Sequence, residues 1–441
     1  MGGGTLMKTI LDKEEIHTLM KKKGIKTQKE LAQSMGITKN QLSVMLSSSF
    51  SPIKSNVSNL ADVLGYDVLK SIVPVNEQLS ILSPKKDIRN EMFPEVPIDV
   101  SNVIAKRKFN ALELFAGAGG LALALEQAGF NDVGLVEINK HAADTLKLNR
   151  PKWNVINEDI TKITADPAGI YKYIPKSCEI DLLSGGYPCQ SFSYAGKQMG
   201  LYDTRGTLFY HYAKILEQVK PKMFLVENVK GLTTHDHGRT LKTMIKVFEN
   251  MGYKTIYKVL NAWDFGVAEK RERMILIGIR NDLNITYQFP KKHNYKPVLR
   301  DVLKNVPDSP GQRYSDAKKK VLAQVPAGGY WRDLPENVAR EYMGKSYYSS
   351  GGRTGMARRL SWDEPSLTLT TSPSQKQTER CHPVETRPFT TREYARIQSF
   401  PDSWHFSGGI GSIYSQIGNA VAVNFGKDIA LSIINSLNQV N

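Results

Sequence analysis

From Lys106 onward the chain alternates short apolar runs with helical segments, and few architectures accept that order. Phe109 to Leu114 reads as a strand, and Gly120 to Ala128 as a helix closed by Gly129. Val133 to Glu137 is a second strand, followed by a helix from His141 to Asn149 that Pro151 stops. A strand from Ile180, a helix from Thr207 to Val219 ended by Pro221, and a strand from Met223 continue the series. Such βαβ repetition predicts an α/β fold with a doubly wound, largely parallel, Rossmann-like sheet. Ligands of such sheets sit at the carboxyl ends of the strands. At 441 residues the length prior is about three domains.

The strand tips carry the chemistry. The run from Ile180 ends Gly185-Gly186-Tyr187-Pro188-Cys189-Gln190, and the run Met223 to Val226 ends in Glu227-Asn228-Val229. A lone cysteine is by default a small buried hydrophobe. Here Pro188 fixes the backbone before Cys189, and Lys197 and Arg205 on the following loop favour a thiolate. A thiolate and a carboxylic acid converging on one planar ring suit nucleophilic attack on an electron-poor heterocycle. Cys178 and Cys381 have no such surroundings. Three scattered cysteines make neither a disulfide framework nor a thiolate zinc site, so no metal is expected and a reducing cytoplasm is the simple reading.

Phe115-Ala116-Gly117-Ala118-Gly119-Gly120 joins the first strand to its helix, where glycines permit a tight turn and a close ligand. Dinucleotide, flavin and methyl-donor enzymes all use such turns. The spacing is not Gly-x-Gly-x-x-Gly, and no Lys-Ser/Thr pair follows for a phosphate. Glu137, at the second strand tip, can accept from both hydroxyls of a ribose. Asp159, after the third strand, can take the exocyclic amine of an adenine. Together they describe an adenosine-containing ligand without a required triphosphate.

The remaining segments differ in character. Up to about Asn76 the pattern is helical. Thr27 to Met35 opens with a capping box from Thr27 to Glu30, Gly36 breaks the helix, and Thr38 caps a second helix over Ile37 to Leu46. Alanine inside the first helix, glycine in the turn and a polar start to the second resemble the helix-turn-helix of phage repressors. That resemblance implies DNA contacts from Thr38, Lys39, Asn40, Gln41 and Ser43; the plain alternative is a packing module. Residues 77 to 105 read as a linker. Residues 281 to 360 mix lysines, arginines and aromatics with glycine pairs, as in a small irregular domain with nucleic-acid character. Tyr414 to Ala420 opens a terminal helix running through Leu437. The formal net charge of +16 favours a polyanionic partner. No run of about 18 apolar residues appears, so no membrane span is expected.

Taken in order, these motifs resemble the prokaryotic DNA cytosine-5 methyltransferases, from about Phe109 to Asn441. Phe115 to Gly120 is similar to that family's cofactor loop, Pro188-Cys189-Gln190 to its nucleophile motif, and Glu227-Asn228-Val229 to its acid motif. Arg271-Glu272-Arg273 stands at the paired arginines. Arg392 to Pro401 and Gln416 to Ala420 match the C-terminal motifs. The resemblance implies S-adenosyl-L-methionine as cofactor, held by Phe115, Gly117, Gly119, Gly120, Glu137, Ile138, Asp159, Ile160, Pro188 and Asn419. It implies Cys189, Glu227, Arg273 and Arg271 as catalytic residues, and Gln190 and Ser193 as DNA contacts. Residues 106 to 280 would form the catalytic domain, 281 to 360 a target-recognition domain, and 361 to 441 a part returning to the catalytic domain. One departure stands out: the family usually has glutamine where this chain has Glu269, a carboxylate able to pair with Arg271.

The implied reaction is methylation of cytosine at carbon 5 in a specific duplex DNA, on a flipped-out base. The implied setting is a bacterial restriction-modification system, in a cytoplasmic, nucleoid-associated enzyme. The resemblance of the N-terminal segment adds repression of its own operator to what is expected. Methylation of transfer RNA is the competing activity on this fold, but the Cys-Phe-Thr signature of those relatives is absent. A regulator with a relic catalytic domain is the non-enzymatic alternative, opposed by intact Cys189 and Glu227.

Overall fold

The computed structural model describes residues 9–11, 13–46, 54–65, 72–74, 92–188, 207–350 and 352–440. The chain divides into two units, Met1–Asp87 and Ile88–Asn441.

The first unit holds β1 (Thr9–Leu11), α1 (Lys13–Lys22), α2 (Gln28–Ser34), α3 (Lys39–Met45), α4 (Lys54–Leu64) and β2 (Ile72–Pro74), with β1 and β2 antiparallel. Leu19, Leu31, Ala32, Leu42 and Leu60 form its core. Gly36 turns the chain between α2 and α3 with φ +65°, a conformation glycine adopts freely. The cap at Thr38 is a full box: Gln41 N donates to Thr38 Oγ1 (3.2 Å) and Thr38 N to Gln41 Oε1 (2.8 Å). The box expected at Thr27 is only half formed, because Glu30 Oε2 accepts from Lys26 N (2.8 Å) while Thr27 Oγ1 caps Glu30 N.

In the second unit, β3 (Phe109–Leu114), α5 (Gly120–Ala128), β4 (Phe130–Val136), α6 (Lys140–Asn149), β5 (Val155–Ile156) and α7 (Ile160–Ala165) lead into β6 (Leu182–Gly185). Then come α8 (Leu208–Val219), β7 (Met223–Val229), α9 (Arg239–Asn250), β8 (Tyr253–Asn261), β9 (Glu269–Lys270) and β10 (Glu272–Arg280). Seven of these strands form one sheet in the order β5-β4-β3-β6-β7-β10-β8. Only β10 runs antiparallel, pairing with both β7 and β8. Strands buried on both faces need no polar alternation, which explains their continuous apolar runs. Leu182, Leu225 and Ile277 face one core, whereas Leu183, Val226 and Leu276 face the other. The order reverses between β3 and β6, and a crevice opens beyond their carboxyl ends.

The rest comprises α10 (Leu299–Val302), α11 (Asp316–Leu322), α12 (Glu336–Met343), β11 (Ser366–Leu367), α13 (Thr391–Ile397), α14 (Ile410–Asn419) and α15 (Val423–Leu437). Here the packing redraws three expected boundaries. From Met92 the expected linker is packed chain: Met92 and Phe93 join the sheet core, and Ile98 N donates to Phe289 O (3.0 Å). Ile285, Tyr287 and Phe289 belong to that same core, and Leu299 and Leu303 to the C-terminal one. A small separate core of Leu322, Val325, Trp331, Met343 and Met356 occupies the middle of the irregular segment. The single terminal helix is two helices, because Ala420 and Ala422 are extended (ψ 151° and 132°). Residues Ile410–Leu437 are apolar enough to cross a membrane by length and composition, yet most of that stretch is buried in the fold.

Candidate active site

A cavity of about 650 Å³ lies beyond the carboxyl ends of β3, β4, β6 and β7. Eight of the ten residues expected to hold a cofactor line it: Phe115, Gly117, Glu137, Ile138, Asp159, Ile160, Pro188 and Asn419. Consecutive parallel strands deliver their tips to one edge, so residues scattered over 300 positions meet there.

Glu137 is nearly buried, with Oε2 accepting from Gly117 N and Oε1 from Asn139 N, both at 2.7 Å. Burial raises its pKa, and the two amides oppose the rise. Each carboxylate oxygen keeps a second lone pair for a ligand hydroxyl. Asp159 caps α7 through Thr161 N (2.8 Å), which lowers its pKa. Ile138 leaves 65% of its surface exposed, an apolar wall facing open space. Gly117 (φ +56°) has nothing within 4 Å of where a Cβ would stand.

The two other glycines of the turn do something else. A Cβ on Gly119 would lie 2.6 Å from Leu146 and 2.9 Å from Trp404, and one on Gly120 would lie 2.2 Å from the Val421 carbonyl. Neither lines the cavity. Their missing side chains admit the C-terminal segment.

At the other end of the cavity Glu227 Oε1 meets Arg273 Nε at 2.9 Å, each side chain 13% exposed. The pairing of β7 with β10 sets this contact, with Ile275 opposite Glu227 and Arg273 opposite Val229. Burial and the neighbouring Arg271 lower the Arg273 pKa, and Glu227 opposes them. A Cβ on Gly186 would lie 3.1 Å from Glu227 Oε2, so the acid overhangs the segment leading to Cys189. Asn228, unassigned in sequence, holds that segment: its Nδ2 donates to Tyr187 O (2.8 Å) and its Oδ1 accepts from Val229 N (2.9 Å). Cys189, Gln190 and Ser193 lie outside the described residues, but Pro188 shares the cavity with Glu227.

Arg271 has a different occupation from the one expected. It is 2% exposed; Nη2 donates to the carbonyls of Gly418 (2.9 Å) and Ala420 (3.0 Å), and Nη1 to Leu369 O (3.3 Å). Glu269 stands 3.5 Å away and accepts from Leu369 N (2.7 Å). Although Arg271 borders the cavity, its guanidinium ties the end of α14 to the β9–β10 corner, a scaffolding task. The one sequence signal that sets it apart from Arg273 is Glu269, two positions before it. Ser412, Ser415 and Gln416 of α14 also reach the cavity, and only the fold brings them there. Among the described residues no group of three or more His, Cys, Asp or Glu can hold a metal ion.

A family model described as C-5 cytosine-specific DNA methylase matches residues 109–435. The chain belongs to that family. As a C-5 cytosine-specific DNA methyltransferase, it takes its methyl group from S-adenosylmethionine. The cavity volume falls within the range of small-molecule sites, and its paired carboxylates and apolar walls suit an adenosyl group. The chain is 56% identical over 437 residues to the Type II methyltransferase M.Sau96I of Staphylococcus aureus, covering 98% of this chain and 100% of that one. It is 51% identical over 349 residues to the Type II methyltransferase M.Eco47II of Escherichia coli, covering 77% and 82%. The crystal structure of S. pombe Dnmt2 methyltransferase matches with a TM-score of 0.53 at 20% identity, covering 76% of this methyltransferase and all of that chain, which speaks to fold alone.

Proposed function

We propose that the protein methylates carbon 5 of a cytosine flipped out of a specific duplex DNA site, as the modification enzyme of a Type II restriction-modification system. The observation that carries this reading is the Glu227–Arg273 pair, whose acid stands against Gly186 and shares the cavity with Pro188, one residue before Cys189. In the proposed course the Cys189 thiolate adds to ring carbon 6. Glu227 would hydrogen-bond ring nitrogen 3, sharing a proton with it, and Arg273 would donate to the oxygen on carbon 2, so negative charge spreads onto groups already in place. Carbon 5 becomes enamine-like, a nucleophile that the unaided ring does not offer. When bound, S-adenosylmethionine supplies the electrophilic methyl group. Loss of the carbon 5 proton then lets the Cys189 sulfur depart. Glu137 would take the ribose hydroxyls, Asp159 the adenine amine, and Phe115, Ile138, Ile160 and Pro188 the apolar faces. Gln190 and Ser193 would meet DNA, and the segment around the Trp331 core would read the target.

Cys189→Ala should abolish methyl transfer to duplex DNA while S-adenosylhomocysteine still binds by calorimetry. Measurable turnover in that variant would rule out the covalent route. Transfer RNA, offered in parallel, should accept no label.

A second role rests on the first unit, which has its own core and lies outside the family match. Lys39, Asn40, Gln41 and Ser43 stand exposed on α3, which supports a reading of α3 as a recognition helix for an operator of the protein's own gene. Gln41 Oε1 is already engaged by the cap, which leaves its amide donors and Asn40 as base readers. Deleting residues 1–76 should abolish retention of upstream DNA in a gel-shift assay and spare methylation. Loss of methylation together with operator binding would argue against separate roles.

A further inference from the structure

The Ala118 carbonyl, in the turn between β3 and α5, accepts a hydrogen bond from far along the chain. Trp404 donates its indole Nε1–H to that oxygen at 3.1 Å. The same ring closes on the next residue, where a Cβ on Gly119 would lie 2.9 Å from Trp404 Cζ2. Gly117 and Ala118 line the cavity. In the turn they belong to, Phe115 (φ +59°) is left-handed, which is unfavourable for a residue with a side chain, while Gly117 (+56°) and Gly119 (+84°) adopt that region freely.

Trp404 is itself gripped from several sides. It is 1% exposed. Arg392 Nη2 donates to its carbonyl (2.8 Å) and Nη1 to that of Pro401 (3.1 Å), while Trp404 N closes the turn onto Pro401 O (2.9 Å). Trp153 stands with its ring centroid at 6.0 Å and Phe400 at 6.2 Å. Above the ring, 5.4 Å from its centroid, lies the Arg150 guanidinium, itself held by Glu126 (2.7 Å). A cation over an indole face is attractive. Trp404 therefore joins the C-terminal turn to the cofactor turn, adding a bond at Ala118 O to those the turn makes through Ala116 N (to Val136 O, 3.0 Å), Gly117 N (to Glu137 Oε2, 2.7 Å) and Gly119 N (to Ala116 O, 3.1 Å).

We propose that Trp404 is a positioning residue for the methyl donor. It holds the Gly117–Gly119 turn in the shape that receives S-adenosylmethionine, and so sets cofactor affinity rather than the chemistry at cytosine or the grip on DNA. This rests on the placement of the cofactor in the cavity beside Glu137. Plain core packing predicts something else, a loss of stability with unchanged affinity in whatever protein remains folded.

Trp404→Phe separates the two, because it keeps an aromatic ring and removes the donor. S-adenosylhomocysteine should bind the folded variant about five- to tenfold more weakly by calorimetry, the range that one lost neutral hydrogen bond produces. KM for S-adenosylmethionine should rise by the same factor, with kcat at saturating cofactor and Kd for duplex DNA within about twofold of the parent. Trp153→Phe, which thins the same stack without touching the turn, should lower the melting temperature and leave cofactor affinity alone. Affinity within about twofold of the parent in Trp404→Phe, or an equal loss in Trp153→Phe, would overturn the proposal. If Trp404→Phe does not fold, Arg392→Met frees the Pro401–Trp404 turn without meeting the cofactor turn, and carries the same expectation and the same refutation. Glu137→Ala should abolish binding; unchanged affinity there would instead overturn the placement of the cofactor.

Discussion

Adding one methyl group at Gly186 tests how finely Glu227 is placed. The Gly186 backbone is not left-handed, so alanine introduces no conformational penalty there. Its Cβ would stand 3.1 Å from Glu227 Oε2 and 3.4 Å from the Glu227 carbonyl, so the carboxylate must yield by a few tenths of an ångström. Retreat is restricted, because Oε1 is held by Arg273 at 2.9 Å and both side chains are largely enclosed. Misplacing a reacting group by about 1 Å costs roughly 10²-fold in rate; scaled logarithmically to about 0.3 Å, the loss in kcat is about fourfold. Single-turnover transfer of a labelled methyl group should show it, with KM for the cofactor and Kd for DNA within about twofold of the parent. In a Glu227→Asp background the shorter acid withdraws from Gly186, and the added methyl should cost nothing further, a non-additivity of about fourfold. Undiminished kcat, or the same fourfold loss in the Asp background, would refute the idea that Gly186 is small to accommodate the acid.

Gly120→Ala meets the Val421 carbonyl at 2.2 Å; backbone yields little, so thermal denaturation should show at least about 3 kcal/mol of lost stability, and an unchanged melting temperature would mean that α5 and α15 are not closely apposed. Arg271→Met strands the Gly418 and Ala420 carbonyls and the buried Glu269, and should cost about 3–5 kcal/mol by urea unfolding. Glu269→Gln keeps an oxygen for Leu369 N–H and should cost less than about 1 kcal/mol, since burial already raises the Glu269 pKa; the opposite ranking would overturn the scaffolding role. Asp132 has both oxygens buried without a partner, and burial, with Glu126 nearby, pushes its pKa up to about 8. The folded protein thus keeps a proton that the unfolded chain releases near pH 4. Stability attributable to Asp132 should fall as pH rises from about 4 to 8 and then level off. Asp132→Asn should remove that slope, and parallel stability curves for variant and parent would contradict it.

By itself the sequence determined the elements and where their tips carry chemistry. Phe109–Leu114 and Gly120–Ala128 are found at the positions their pattern predicts, because two-sided burial writes an uninterrupted apolar run and Gly129, at φ +107°, writes the helix end. Glu137 and Asp159 were legible for the same reason, since in a doubly wound sheet the residue after each strand faces the crevice. Tertiary structure alone decided which arginine stands beside the acid. Glu269 hinted at a partner for Arg271, but only the register of β10 on β7 brings Arg273 to Glu227, while carbonyls about 150 positions away absorb Arg271. It also decided what the glycines admit: Gly119 and Gly120 read locally as room for a ligand, yet Trp404 and Val421, some 300 positions distant, fill that room. Local sequence records backbone conformation and burial period; it does not record which distant surface will press against a given atom.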